Sequence, residues 1–501
     1  MKKAFRNITL ALALVVTSIA CNDKSAHDFS KAKDLKPVFA VKNVPAYPPT
    51  ASDVDLIESS ATNNIRRIKS LLADKKAMVT ATNLDGVTAF MAAAKTNNAD
   101  AIEELVAYVT NKNQSILDAG DKNGFTALHY AAEAGATDAI LALREAGANP
   151  NIYDGTQETP LHITTVRNNM PALKALIEID SDYVPTNVDI QNSAGESPIL
   201  TATANRNLEM ITALVDRQVD LNASDIQGIT PLILAVKNGD KELFDFLLKS
   251  GAAIDHISSS EDTALLYSIK NKRYDFAKFI LDQKADPNVF SDGLYSPLQT
   301  LVNQDDADAG LVEYIISKGA ELKSDKMPLG NVISRAIRKG NAKAISILIK
   351  NGASVQDIEY PYSNGILEGF KIEDPEVIKL MIESGADIRK LDESGFSPLA
   401  LAAKYEMTDI FDLLVKKGAD VNQSSKNAAA IPLDIVLDKE NVDILKIMMD
   451  NGLKTNPDAI LARIVGDGKF KVLPLLLEKG AKTDIVNTVG QPMLWLAVSK
   501  D

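Results

Sequence analysis

One pattern repeats along this chain. It begins Gly124-Phe125-Thr126-Ala127-Leu128-His129-Tyr130-Ala131-Ala132 and closes Gly147-Ala148-Asn149-Pro150-Asn151; its start returns 33 residues later as Thr159-Pro160-Leu161-His162. It returns again as Ser197-Pro198-Ile199, Thr230-Pro231-Leu232, Thr263-Ala264-Leu265, Ser296-Pro297-Leu298 and Ser397-Pro398-Leu399. A fixed period of this length leaves few folds open. Each repeat is too small to bury its own apolar face, so it must stack on its neighbours. The 501 residues, long enough for three ordinary domains, therefore read as one continuous array.

The residues of one period predict its local structure. Gly124 supplies the positive-φ position of a tight turn. Thr126 and Thr159 stand where an N-cap hydroxyl takes a free helix amide. Pro160 follows at the first helical position, where a missing N–H costs nothing. Leu128, Ala131 and Ala132 form a narrow apolar face, and Ile140 and Leu143 do the same on a second helix. Gly147 ends that helix as a left-handed cap. Gly251, Gly319, Gly352, Gly385, Gly418 and Gly480 hold the same place, each followed by Ala.

These residues resemble the ankyrin repeat, whose signature runs Gly-x-Thr-Pro-Leu-His-x-Ala-Ala. The resemblance implies an all-α solenoid of helix-turn-helix units with short β-turn fingers, about thirteen repeats plus a partial one at Gln491–Ala497, filling 52–501. It spans 55–501 and is most specific over 84–300 and 385–455. A first unit over Asp55–Asp74 lacks the motif and has one apolar and one polar side, as a cap requires. Extra residues at 107–118 and 180–187 lengthen loops, and Asp305, Asp306 and Asp308 lie between two helices. Three units are degenerate: one starts at Asn331, one at Gly365 with Gly369 in an alanine position, one at Ala459.

The first residues carry a different signal. Lys2, Lys3 and Arg6 precede an apolar run over 8–20 that is short for a membrane span, which reads as a bacterial export signal over 1–20. Cys21, the single cysteine, follows at once. Ser18-Ile19-Ala20-Cys21 resembles a lipobox, with Ser18 where an aliphatic residue is usual. Ser18-x-Ala20 also fits ordinary signal peptidase. The main expectation is a lipid on Cys21 and a location in the bacterial cell envelope, at the periplasm or outer membrane; the alternative is a soluble periplasmic protein. Residues 21–51 read as a polar, proline-containing tether. One cysteine excludes internal disulfides, and a net charge of −13 opposes binding to nucleic-acid backbones. Most charges are expected on solvated helix faces.

Motifs for catalysis are missing: no phosphate-binding Gly-x-x-x-x-Gly-Lys, no Gly-x-Ser-x-Gly, no His-Glu-x-x-His. No enzyme, cofactor or metal is expected. His129 and His162 could be read as a metal pair, but with no Cys or carboxylate at ligand spacing they are expected to hydrogen-bond finger backbone. Three aspartates at 305–308 do not match a calcium-loop pattern. What remains is surface. The resemblance implies a concave face of fingertips and first helices that binds other proteins. The residue before each finger's Thr or Ser falls on it: Val87, Phe125, Glu158, Glu196, Ile229, Asp262, Tyr295 and Phe396, with Lys404 and Tyr405 at the end of a first helix. Phe125, Ile229, Tyr295, Phe396, Lys404 and Tyr405 are the candidate partner-binding residues, against the plainer reading that fingertip aromatics only pack on one another. The expected protein is a monomeric interaction scaffold with a protein partner, touching a membrane only through its lipid anchor; a secreted effector acting on a host protein is the alternative.

Overall fold

The computed structural model describes residues 38–40, 48–110, 114–178, 184–290, 295–323, 331–355, 365–482, 484, 486 and 492. Cys21, the export segment and, Pro492 apart, the partial unit at Gln491–Ala497 lie outside the described residues. The chain divides into two compact units, one reaching Ser260 and one beginning at Glu261.

Both units are built of helix pairs. The first holds six, from Ala51–Ala61 with Ile65–Ala73 to Pro231–Asn238 with Lys241–Lys249; the second holds seven among the described residues, from Ala264–Lys270 with Tyr274–Asp282 to Pro457–Asp467 with Leu473–Glu478. Within each unit, first helices stack on first helices and second on second. The core follows the expected stripes: Leu128, Ala131, Ala132, Ile140 and Leu143 are at most 1% exposed. Alanine faces let the short first helices approach closely, and the longer second-helix side chains fill the space behind.

Caps explain where the helices begin and end. First-helix amides donate to the hydroxyl at this position in several repeats: Met91 N to Thr88, Ile233 N to Thr230, Leu266 N to Thr263 and Gln299 N to Ser296, each at 3.2 Å. At Thr126 and Thr159, where the same bond is expected, the hydroxyl meets His129 or His162 Nδ1 at 2.8 Å instead. Gly147, with φ of 94°, stands just past its helix as a left-handed residue. The second helices also carry caps, which the period did not reveal: Asn64, Asn169, Asn207, Asp240, Asn341, Asp374 and Asn441 each accept an amide of the first turn. The degenerate units pair helices like the rest. Asn331 replaces the usual Thr and accepts from Ser334 N at 3.0 Å. At Gly369 an added Cβ would lie 2.8 Å from Met381 Sδ, so the missing methyl makes room for a larger neighbour.

Two features depart from the expectations. The first helix starts at Ala51, capped by Thr50, rather than near Asp55. Residues 38–39, in the stretch expected to be a tether, form strand β1 (Val38–Phe39), paired in parallel with β2 (Ile152–Tyr153). Not all charges are solvated either. Arg144 is fully buried; its guanidinium donates to Ala148 O at 3.0 Å and to Val184 O at 2.8 Å. Close by, Asp118 accepts the amide of Asn149 at 2.8 Å. Val184 lies in one loop extension, which Arg144 bonds to the helix Thr137–Glu145 that carries it, and Asp118 in the other is a nearby opposite charge. Burial pulls the Arg144 guanidinium down to about 10, with Asp118 holding it up.

Candidate functional site

An Asx turn at the base fixes six of the described fingers. Asp121 Oδ1 accepts the amides of Asn123 and Phe125 at 2.8 and 2.9 Å. Asn83, Asp154, Asn192, Asp225 and Asp392 repeat this, each holding the amide of the residue four positions on: Val87, Glu158, Glu196, Ile229 and Phe396. Phe125, Ile229 and Phe396 thus share one backbone geometry, set by the Asx residue four positions before each. An Asx four residues before Phe125, Ile229 and Phe396 is the local signal for this turn; Tyr295 has Ser291 at that offset. Gly124, at φ of 84°, lets the next finger approach: a Cβ there would lie 2.9 Å from Gly155 N, whose amide donates to Asn123 O at 2.8 Å.

The side chains differ in company. Phe125 is half-buried, its ring centroid 5.6 Å from those of both His129 and Tyr130. Tyr130 donates its hydroxyl to Asp121 Oδ2 at 2.9 Å, and Lys95 Nζ lies 5.9 Å over its ring. Burial, then the Asp121 contact, raises the phenol's pKa. Ile229, half-buried, stands three fingers from Phe125 in the same unit. In the second unit, the Arg335 guanidinium lies 4.2 Å over Tyr295. Phe396, Lys404 and Tyr405 come together: Lys404 Nζ is 4.7 Å from the Phe396 centroid and 5.9 Å from that of Tyr405, which stacks on buried Phe370 at 6.4 Å. Aromatic faces paired with cations are adhesive surface rather than reaction chemistry.

The histidines are engaged at both ring nitrogens. Thr126 N donates to His129 Nδ1 at 3.1 Å, and His129 Nε2 meets Glu158 O at 3.0 Å. His162 repeats this with Thr159 N at 3.2 Å and Glu196 O at 3.1 Å. An amide can only donate and a carbonyl only accept, so each ring is the neutral Nε2–H tautomer with its Nδ1 lone pair in use. Such a ring ties its own helix start to the next finger, as expected, and has no lone pair for a metal. Burial lowers both pKa values, that of His162 to about 4. The aspartates at 305–308 are likewise occupied. Asp305 pairs with Lys339 and Asp306 with Lys272, both at 2.8 Å, while Asp308 caps the next helix.

A family model described as ankyrin repeats (3 copies) matches residues 56–154, 146–225, 218–291 and 370–459, more than half of the chain. The human neurogenic locus notch homolog protein 1 is 30% identical over 190 residues, covering 36% of this chain and 7% of that protein. The human transient receptor potential cation channel subfamily A member 1 is 25% identical over 191 residues, 36% of this chain and 17% of that one. The chain thus spans less than a fifth of the length of either relative. Among solved structures, the ankyrin repeat domain of Bcl-3 matches 42% of this chain and 92% of its own, at 22% identity and a TM-score of 0.38. The finger, cap and glycine geometry recurs at the period the family model recognises, and this chain belongs to the ankyrin-repeat family, whose repeats are protein-interaction scaffolds.

Proposed function

We propose that this chain is exported, held to a bacterial envelope membrane by lipid on Cys21, and binds a protein partner through its fingertips and first helices. The observation that carries the binding reading is the fingertip series. One backbone position, held by the same Asx turn, carries Phe125, Ile229 and Phe396, where solvent alone favours polar groups. Recognition by a preformed surface needs little ordering. Lys404 and Tyr405 extend the second unit's patch, and Tyr295 offers a further aromatic there. No catalysis is proposed.

Phe125→Ala should weaken capture of the partner by at least about 2 kcal/mol, roughly 30-fold, if Phe125 is an anchor of the interface. The partner is first obtained by cross-linking from membranes with the mature chain as bait. The control is Leu128→Ala, which should cost about 2–5 kcal/mol of stability by leaving a core cavity. Should Phe125→Ala and Phe396→Ala both destabilise as Leu128→Ala does while affinity holds, these rings are packing residues and the binding face lies elsewhere.

The anchor has its own test. Cys21→Ala should move the protein from the membrane pellet to the soluble fraction. A wild-type chain that is wholly soluble after export ends the lipoprotein reading. Ser18-x-Ala20 favours one second reading, cleavage by ordinary signal peptidase and a soluble periplasmic or secreted effector. Processing insensitive to globomycin would support it.

A further inference from the structure

Residues 38–40 lie against the bases of two successive fingers. Val38 is in register with Ile152 and Phe39 with Tyr153, and Ala40 N donates to Tyr153 O at 3.2 Å. The Phe39 and Tyr153 rings lie 5.5 Å apart. On the preceding finger, a Cβ built on Gly120 would come 2.7 Å from the Ala40 Cβ. A small residue on the strand therefore meets a residue without a side chain on the finger. The docked strand is nevertheless lightly held, with Val38 51% and Phe39 59% exposed. Main-chain pairing over two residues, one ring contact and one steric slot are the marks of strand addition to an open edge.

We propose that the edge at Ile152–Tyr153 is a peptide-binding site, and that Val38–Ala40 is its exchangeable intramolecular occupant. Its ligand is an extended peptide with an aromatic residue followed by a small one. The aromatic side chain packs on Tyr153, and the small residue enters the slot at Gly120. The tether segment then acts as a plug: the edge opens to such a peptide when residues 38–40 leave. This site does not use the fingertip rings, so its failure and theirs are separate results.

The test uses a fluorescent peptide of this chain's residues 34–44 and the full mature chain. Val38→Asp with Phe39→Asp removes the intramolecular strand at exposed positions. A plug docked nine-tenths of the time lowers apparent affinity about tenfold, so this double variant should bind the peptide at least about tenfold more tightly than wild type. Ala40→Pro, which loses the amide bonded to Tyr153 O, should give the same gain if the aspartates disturb folding. A peptide carrying Ala40→Leu should bind neither protein, because the slot at Gly120 has no room. The proposal is overturned if the opened variants do not bind the peptide, if they bind it no better than wild type, or if the leucine peptide binds equally well.

Discussion

Arg144→Ala should lower the stability of the first unit by about 3–5 kcal/mol, the usual cost of removing one member of a buried charged arrangement. The side chain is fully buried, yet it donates to two main-chain carbonyls rather than forming a direct carboxylate fork. Removing it leaves the carbonyls of Ala148 and Val184 without their donor. It also strips Asp118 of the charge that draws its pKa down, although burial already raises that carboxyl to about 6. Arg144→Met separates these effects. Methionine restores most of the apolar volume but none of the hydrogen bonds, so it should recover only part of the loss. Urea unfolding gives the total. Amide exchange gives the location, and faster exchange should concentrate at Asn149, whose amide is bonded to Asp118. A change below about 0.5 kcal/mol, within the range of ordinary surface substitutions, would mean the guanidinium is not what holds the carbonyls of Ala148 and Val184.

That residue also shows where sequence reading stops. Period, caps and glycines were legible because each is a local requirement: Thr230 needs only its own helix amides, and Gly147 only a left-handed backbone. Thirteen helix pairs among the described residues follow from them. Arg144 falls among charges expected to be solvated, because nothing nearby in sequence places Val184 O and Asp118 beside it. The Asx turns are equally local: Asp121, Asp225 and Asp392 sit at one offset from Phe125, Ile229 and Phe396. Strand β1 was hidden for a different reason. Val38-Phe39-Ala40 is too short to show alternation, and its partner lies more than a hundred residues away. Gly369 looked like decay of the motif, whereas the bulk of Met381 explains it. The candidate surface was legible as a position in the repeat. The cations over its rings were not, because Arg335 and Tyr295 meet only through stacking of successive repeats.

His162→Gln should make the first unit less sensitive to acid, and the double variant with His129→Gln more so. Both rings are buried and neutral, and the folded state holds the His162 pKa near 4 against an ordinary 6.5. The unfolded chain therefore binds a proton that the folded chain refuses once pH falls below about 6.5. The ring's neutral contribution is fully present above that pH and is lost on the way down to 4. At about 1.4 kcal/mol per pKa unit, His162 alone accounts for about 3 kcal/mol by pH 4. Asp118 acts in the opposite direction. Its folded pKa, about 6, lies above the ordinary carboxylate value, so folding gains from acidification over much of the same window. Raw pH profiles thus mix the two, and the informative quantity is wild type minus variant. The chain supplies its own precedent for the substitution. Gln299 occupies the same motif position, and its Oε1 accepts the amide of Ser296 at 3.0 Å, as the imidazole does elsewhere. Glutamine keeps that acceptor and an N–H donor but cannot titrate. The gap between the two unfolding curves should stay flat above pH 7 and close by about 3 kcal/mol toward pH 4 as the variant keeps what wild type loses. A gap that does not change with pH would mean these imidazoles are not the buried neutral ties that join each helix start to the next finger.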